Sequence, residues 1–357
     1  MTRLTKDELI LYIAENRILT GIDLSGLDLT GISLSGRVCE RISLAGCKLA
    51  GADLAGASFT ACKFSGAYLA GVNLSGANLA GADLAALDLS GSNMTGALLE
   101  RADLRKANLK GALLDYAESN DVNLAGASLV GSSFRMASLT AADLTCADLS
   151  DANLSLADLE GAKLAGAVFC HTDCSKTSFN NTDLKSLSLA GCILVMASFE
   201  GADLRGADLA GLILTQTGFE GADLSGADLS GIDAWAARFE GAVAIDTAFA
   251  GSGLMDADFT DSRLDGANFS SAVLTGARLT RAVCRKAIFR AARLSHADLS
   301  YADLGGADFT AALLEQASLD GAARSEARWE GVDLSLIRQP DKELLMAEKW
   351  QPSPPLR

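Results

Sequence analysis

The sequence predicts an all-β solenoid, a four-sided parallel β-helix of about 16 coils with a short helix at each end. Three observations predict it. From Leu24 to Leu334 every fifth residue is Leu or Phe with few exceptions, and the five-residue phase never slips. All 13 Phe residues stand on those positions. The four Pro residues, Pro340, Pro352, Pro354 and Pro355, all lie beyond the last of them. A strict short period means stacked units sharing one core, and Pro, which has no N–H, is kept out of a backbone ladder.

Residues 1–18 form the first element, a helical cap. Thr5-Lys6-Asp7-Glu8 has the spacing of a capping box and predicts a helix through about Asn16. Its Leu9, Ile10, Tyr12 and Ile13 are expected to cover the first coil. Residues 19–336 form the uninterrupted repeat, with Leu19 and Gly21 as its first members. Taking the Leu or Phe centre as position i, position i−2 is mostly Ala and points inward, while i−1 is mostly Asp, Asn or Ser and points outward. Position i+2 is most often Gly, which supplies the positive φ of a type II turn. Each pentapeptide is therefore one short extended piece and one corner, and four of them close a coil. Residues 337–350, with Pro340 to Trp350 as a short helix, either cap the C-terminal end or bind a second subunit, and the Pro-rich tail 351–357 is expected to be disordered.

The repeated unit, written Ala222-Asp223-Leu224-Ser225-Gly226 or Ala77-Asn78-Leu79-Ala80-Gly81, resembles that of the pentapeptide-repeat family from residue 22 to about residue 336. The resemblance implies a right-handed, four-sided parallel β-helix. It implies little about activity, because similar proteins include gyrase-protecting DNA mimics and secreted bacterial effectors.

Composition narrows the function by exclusion. The net charge of −15 argues against a protein that binds nucleic acid directly by neutralising phosphates, and it permits one that imitates nucleic acid or meets a basic partner. Met1 to Arg17 is interrupted by charges, so neither a signal peptide nor a membrane span is expected there, and the expected location is the cytoplasm. Cys39, Cys174 and Cys284 stand on centre positions and Cys47, Cys62 and Cys192 on i−2, so they read as small buried hydrophobes without disulfides.

Stacking every fourth pentapeptide gives two aromatic columns, Phe179, Phe199, Phe219, Phe239 and Phe259, and Phe249, Phe269, Phe289, Phe309 and Trp329. Departures from the repeat are informative. Ser119 places a hydroxyl in the core, where a local irregularity is expected. Ala234 and Ala244 are undersized centres, and Arg324 marks a frayed last coil. Outside, Ile193, Ile213 and Val273, with Val195, Trp235 and Met255 on the neighbouring corner, form an expected apolar stripe that Val243 and Ile245 extend. It would dock a protein partner or a second copy of the chain. The competing expectation is that Trp235 or Ile245 turns inward to fill space left by the two Ala centres. Arg263, Arg278, Arg281, Arg285, Lys286, Arg290 and Arg293 form a basic patch, with a smaller cluster at Arg101, Arg105, Lys106 and Lys110. Each is either a solvated face or a site for an acidic partner.

No catalytic constellation is legible. His171 and His296 are far apart in the repeat, and Cys170-His171-Thr172-Asp173-Cys174 sends its side chains in divergent directions, so neither metal nor cofactor is expected. The expected function is a non-enzymatic interaction scaffold or adaptor displaying flat faces, including as an accessory of a bacterial secretion system. The alternatives are a DNA-mimicking regulator of DNA gyrase and a secreted bacterial effector.

Overall fold

A computed structural model describes residues 1–185 and 187–339, so the helix expected from Pro340 to Trp350 and the tail lie outside the described residues. The chain divides into two compact units, Met1–Gly218 and Phe219–Arg357. Both are β-solenoids of the same repeat.

The extended pieces are so short that most make a single residue pair with the next coil. Within the first unit Asp103 pairs in parallel with Asn123, and within the second Asp258 pairs with Arg278. The Asp103 pairing carries two backbone bonds: Asn123 N–H donates to Ala102 O at 3.0 Å and Leu104 N–H donates to Asn123 O at 2.7 Å. The chain then turns at once. Ala107 N–H donates back to Leu104 O at 3.0 Å, and Lys106 within that turn has φ +58°. Longer strands occur only near the N-terminus among the described residues: β1 (Thr2–Arg3) pairs with β3 (Ile22–Asp23), while β2 (Leu19–Thr20), β4 (Val38–Glu40) and β5 (Ser58–Thr60) form a parallel three-stranded sheet.

α1 spans Lys6–Ala14, ending two residues before the expected Asn16. Its capping box is formed: Glu8 N–H donates to Thr5 Oγ1 at 3.3 Å and Thr5 N–H donates to Glu8 Oε2 at 2.7 Å. The expected covering face is narrower than its four apolar residues suggest. Leu9 is buried, but Ile10 is 46% exposed, because a nine-residue helix turns only one stripe toward its support. Arg37 holds the far end, donating from Nη1 to Asn16 Oδ1 at 2.5 Å and from Nη2 to Ile13 O at 2.6 Å.

The core is the stack of centres. In the second unit Phe219, Phe239 and Phe259 lie parallel with centroids 4.9 and 4.5 Å apart, and Phe249, Phe269, Phe289, Phe309 and Trp329 continue a second ladder at 4.5 to 5.0 Å. The ladders touch edge to face, as between Phe239 and Phe249 at 5.8 Å. Arg324 is exposed, as its charge requires.

Two expectations about the core are corrected. The backbone passes Ser119 without irregularity: its N–H donates to Ser138 O at 2.8 Å and Glu118 pairs with Ser138 as any outward residue does. What breaks is the polar balance, since Ser119 Oγ is buried with no hydrogen-bond partner among the described residues. Ser119→Ala is therefore expected to raise the unfolding free energy by about 1 kcal/mol, measured by urea denaturation. Around Ala234 and Ala244, Trp235 does not turn inward. It stays 45% exposed and donates from Nε1 to Asp256 Oδ2 at 3.3 Å.

Candidate interaction surface

Every described corner up to Gly331 adopts positive φ, whether or not it holds Gly, so a substituted corner projects a side chain from a left-handed backbone. That side chain leans over the next coil. The Asn181 amide lies over Gly201 and the Tyr301 ring over Gly321, where an added Cβ would fall 2.8 and 2.5 Å from them. In the first unit one corner carries side chains on consecutive coils: Tyr116, Met136, Leu156, Lys176 and Met196, all at positive φ. Tyr116, Met136, Leu156 and Met196 are 51%, 45%, 42% and 44% exposed. Arg135 Nη1 steadies the ridge by donating to Tyr116 Oη at 3.0 Å. Sequence reasoning missed this ridge. The available signal was the loss of Gly at one corner column over successive coils.

The residues of the expected stripe fall in both units. In the first, Ile193 and Ile213 are exposed and Val195 is half-buried; in the second, Trp235 and Met255 are exposed and Val243, Ile245 and Val273 are half-buried. Leu113 stands exposed on the same strand position as Ile193 and Ile213, several coils earlier.

The basic residues meet acids on neighbouring coils. Arg278 pairs with Asp258, Arg281 Nη2 with Asp261 Oδ2 at 2.7 Å, Arg285 Nε with Asp303 Oδ2 at 2.7 Å and Arg290 Nε with Asp308 Oδ2 at 2.7 Å. Thr310 and Arg290 hold the Asp308 carboxyl down to about 2. Arg263, Lys286 and Arg293 have no ion pair among the described residues. In the smaller cluster Arg105 Nη2 pairs with Asp103 Oδ2 at 2.6 Å.

The outward Asp and Asn residues have a second role. Asp83, Asp143 and Asp228 each accept from the backbone N–H two residues on, at 3.2, 3.0 and 2.9 Å, which binds the strand end to its corner. One carboxylate group is less well served. Glu220 Oε2 and Glu240 Oε2 are buried without hydrogen-bond partners among the described residues, although Arg238 donates to Glu220 Oε1 and Arg278 to Asp258. Burial pushes the Glu240 carboxyl up, and the charges of Asp258 and Glu220 add to it. Its folded value exceeds its unfolded one, so its contribution is favourable below the unfolded value and is lost as pH rises through the folded value. Glu240→Gln is thus expected to stabilise the protein at pH 7 by at most about 1 kcal/mol, with the gain shrinking on acidification. Urea midpoints measured at pH 7 and pH 4 check this.

The remaining chemistry is sparse. A cavity of 570 Å³ is lined by Leu164, Leu184 and Leu187, with Lys163, Asp183 and Lys185 at its margin. Lys163 pairs in parallel with Asp183 there; Leu144 and Cys146 N–H donate across to Lys163 O and Ala165 O, while the corresponding Leu164 and Gly166 amides make no such bond among the described residues. Leu187 occupies the i−2 slot that Ala fills elsewhere and is only half-buried. Cys170 faces out, with its Sγ 3.4 Å from His171 Nδ1, while Cys174 is buried as its register requires. No helix among the described residues is long and apolar enough to cross a membrane.

Comparison with known proteins gives the following. No match was found among curated proteins. Among solved structures, the chain is similar to HetL, a pentapeptide repeat protein involved in heterocyst differentiation regulation from the cyanobacterium Nostoc sp. Strain PCC 7120, with 22% identity, coverage of 92% of this chain and 96% of that one, and a TM-score of 0.17. It is similar to full-length QnrB1, a plasmid-mediated fluoroquinolone resistance protein, with 18% identity, coverage of 64% and 97%, and a TM-score of 0.23. A pentapeptide repeat protein from the Arabidopsis thaliana thylakoid lumen shares 28% identity over 40% of this chain and 69% of its own, with a TM-score of 0.18. The family described as pentapeptide repeats matches in eight copies, over residues 39–76, 77–115, 120–155, 147–185, 186–221, 222–261, 252–283 and 287–323. With its five-residue period, its bonded coils and this family match over most of its length, the chain belongs to the pentapeptide repeat family.

Proposed function

We propose that the chain is a non-enzymatic protein-interaction scaffold that holds a protein partner on its exposed corners and faces. The observation that carries this is the ridge of Tyr116, Met136, Leu156 and Met196, large apolar side chains exposed at corners of positive φ. A non-Gly residue in the left-handed region costs about 1 kcal/mol at each position, and exposing apolar surface gives the isolated chain nothing in return. In this reading each unit winds as a right-handed, four-sided coil, α1 covers the first turn, and the protein works in the cytoplasm. Ile193, Val195 and Ile213 extend the contact surface of the first unit, while Trp235, Val243, Ile245, Met255 and Val273 form another on the second. Arg263, Lys286 and Arg293 are the basic residues left available to an acidic partner.

The test replaces Tyr116, Met136 and Leu156 together by Ser, with a parallel variant carrying Ile193→Ser and Ile213→Ser. Capture of native-host proteins and self-association by light scattering are measured on both. Loss of a specific partner, or of a dimer, with unchanged circular dichroism supports the scaffold. Unchanged capture and unchanged mass in both variants removes it.

A further inference from the structure

We propose that Cys170 is a redox-modifiable thiol, oxidised by small hydroperoxides with His171 as its proton acceptor. Of the eight cysteines, Cys146 and Cys170 alone are exposed. Cys170 Sγ lies 3.4 Å from His171 Nδ1, and the same nitrogen lies 3.7 Å from Asp151 Oδ1. The repeat assembles these three groups. Asp151 and His171 occupy the same corner on successive coils, at φ +57° and +55°, and Asp151 N–H donates to Cys170 O at 2.8 Å. Gly191 follows at that corner on the next coil, where an added Cβ would stand 3.2 Å from His171 Cδ2. The imidazole is therefore seated between a carboxylate on one side and a glycine on the other, beside the thiol.

The chemistry follows from that order. The sulfur attacks the near oxygen of the peroxide, an S–O bond forms as the O–O bond breaks, and sulfur is oxidised by two electrons as the peroxide is reduced. His171 Nδ1 takes the thiol proton and returns it to the departing oxygen, which leaves as water or an alcohol. While it holds the proton, the imidazolium faces Asp151. The product is the sulfenic acid of Cys170. The six other thiols besides Cys146 are buried, so a small external thiol would reduce it. Cys146 supplies the comparison: it is exposed at a corner with φ +56°, its sulfur leans over Gly166, and that sulfur makes no hydrogen bond among the described residues.

The experiment treats the full-length protein with hydrogen peroxide in the presence of a dimedone-type trap and follows both cysteines by peptide mass spectrometry. Cys170 is expected to be trapped at least about fivefold faster than Cys146. His171→Asn, a residue that tolerates positive φ, is expected to bring Cys170 to the Cys146 rate while leaving Cys146 unchanged, which also reports that the variant is folded. Equal rates in the wild-type chain, or an unchanged Cys170 rate in His171→Asn, would overturn the proposal.

Discussion

Phe259→Ala is expected to lower the unfolding free energy by about 3–5 kcal/mol, while Phe259→Leu lowers it by about 1 kcal/mol. Phe259 is fully buried, stacks on Phe239 at 4.5 Å and meets Phe249 and Phe269 edge to face at 5.8 and 5.7 Å. Removing the ring takes away contacts on three sides at once. The neighbours have little freedom to close the gap, because each is fixed by its own ladder bonds, as where Phe259 N–H donates to Arg278 O at 2.7 Å. Leu, by contrast, is the ordinary centre residue of this repeat and fits the slot without moving the backbone. Urea denaturation followed by circular dichroism measures both variants. Similar losses for Ala and Leu would mean that ring stacking, and not filled volume, holds the column together.

Gly266→Ala is expected to cost about 2 kcal/mol, roughly twice the cost of Gly251→Ala. The two glycines have the same φ of +69°, so the backbone penalty of a Cβ is common to both. They differ in what stands over them. A Cβ at Gly251 meets nothing within 4 Å, whereas one at Gly266 would enter the van der Waals envelope of Asp246 Oδ1. Adding Asp246→Ala should return the cost of Gly266→Ala to that of Gly251→Ala, a coupling read directly from a double-mutant cycle in urea. An uncoupled cycle would show that the Asp246 carboxylate moves aside freely.

The solenoid, its inward Leu, Phe and Ala columns and the N-terminal capping box were legible because each depends on local chemistry repeated many times. A centre that is Leu or Phe on every coil leaves no second register in which the apolar set faces inward. Ser119 misled because one hydroxyl is a smaller perturbation than the two backbone bonds that hold its strand in line. The surface was less legible. The outward Asp residues read only as pointing away from the core, yet Asp83, Asp143 and Asp228 accept from their own corners. The basic residues read as a patch, yet Arg278, Arg281, Arg285 and Arg290 each meet an acid one coil away. The Tyr116 to Met196 ridge stayed hidden because its members are separated by full coils, so no short window of sequence shows them together.

The overhang of corner side chains has a consequence for how this chain tolerates change. Each projecting residue shades the corner of the following coil and not the preceding one, as Asn181 shades Gly201 and Tyr301 shades Gly321. Tolerance to substitution is therefore directional. A new side chain at a bare corner is judged by the residue one coil behind it, and once accepted it sets the terms for the residue one coil ahead. A large side chain introduced at a corner should therefore lower the tolerance of the corner one coil ahead and leave that of the corner one coil behind unchanged.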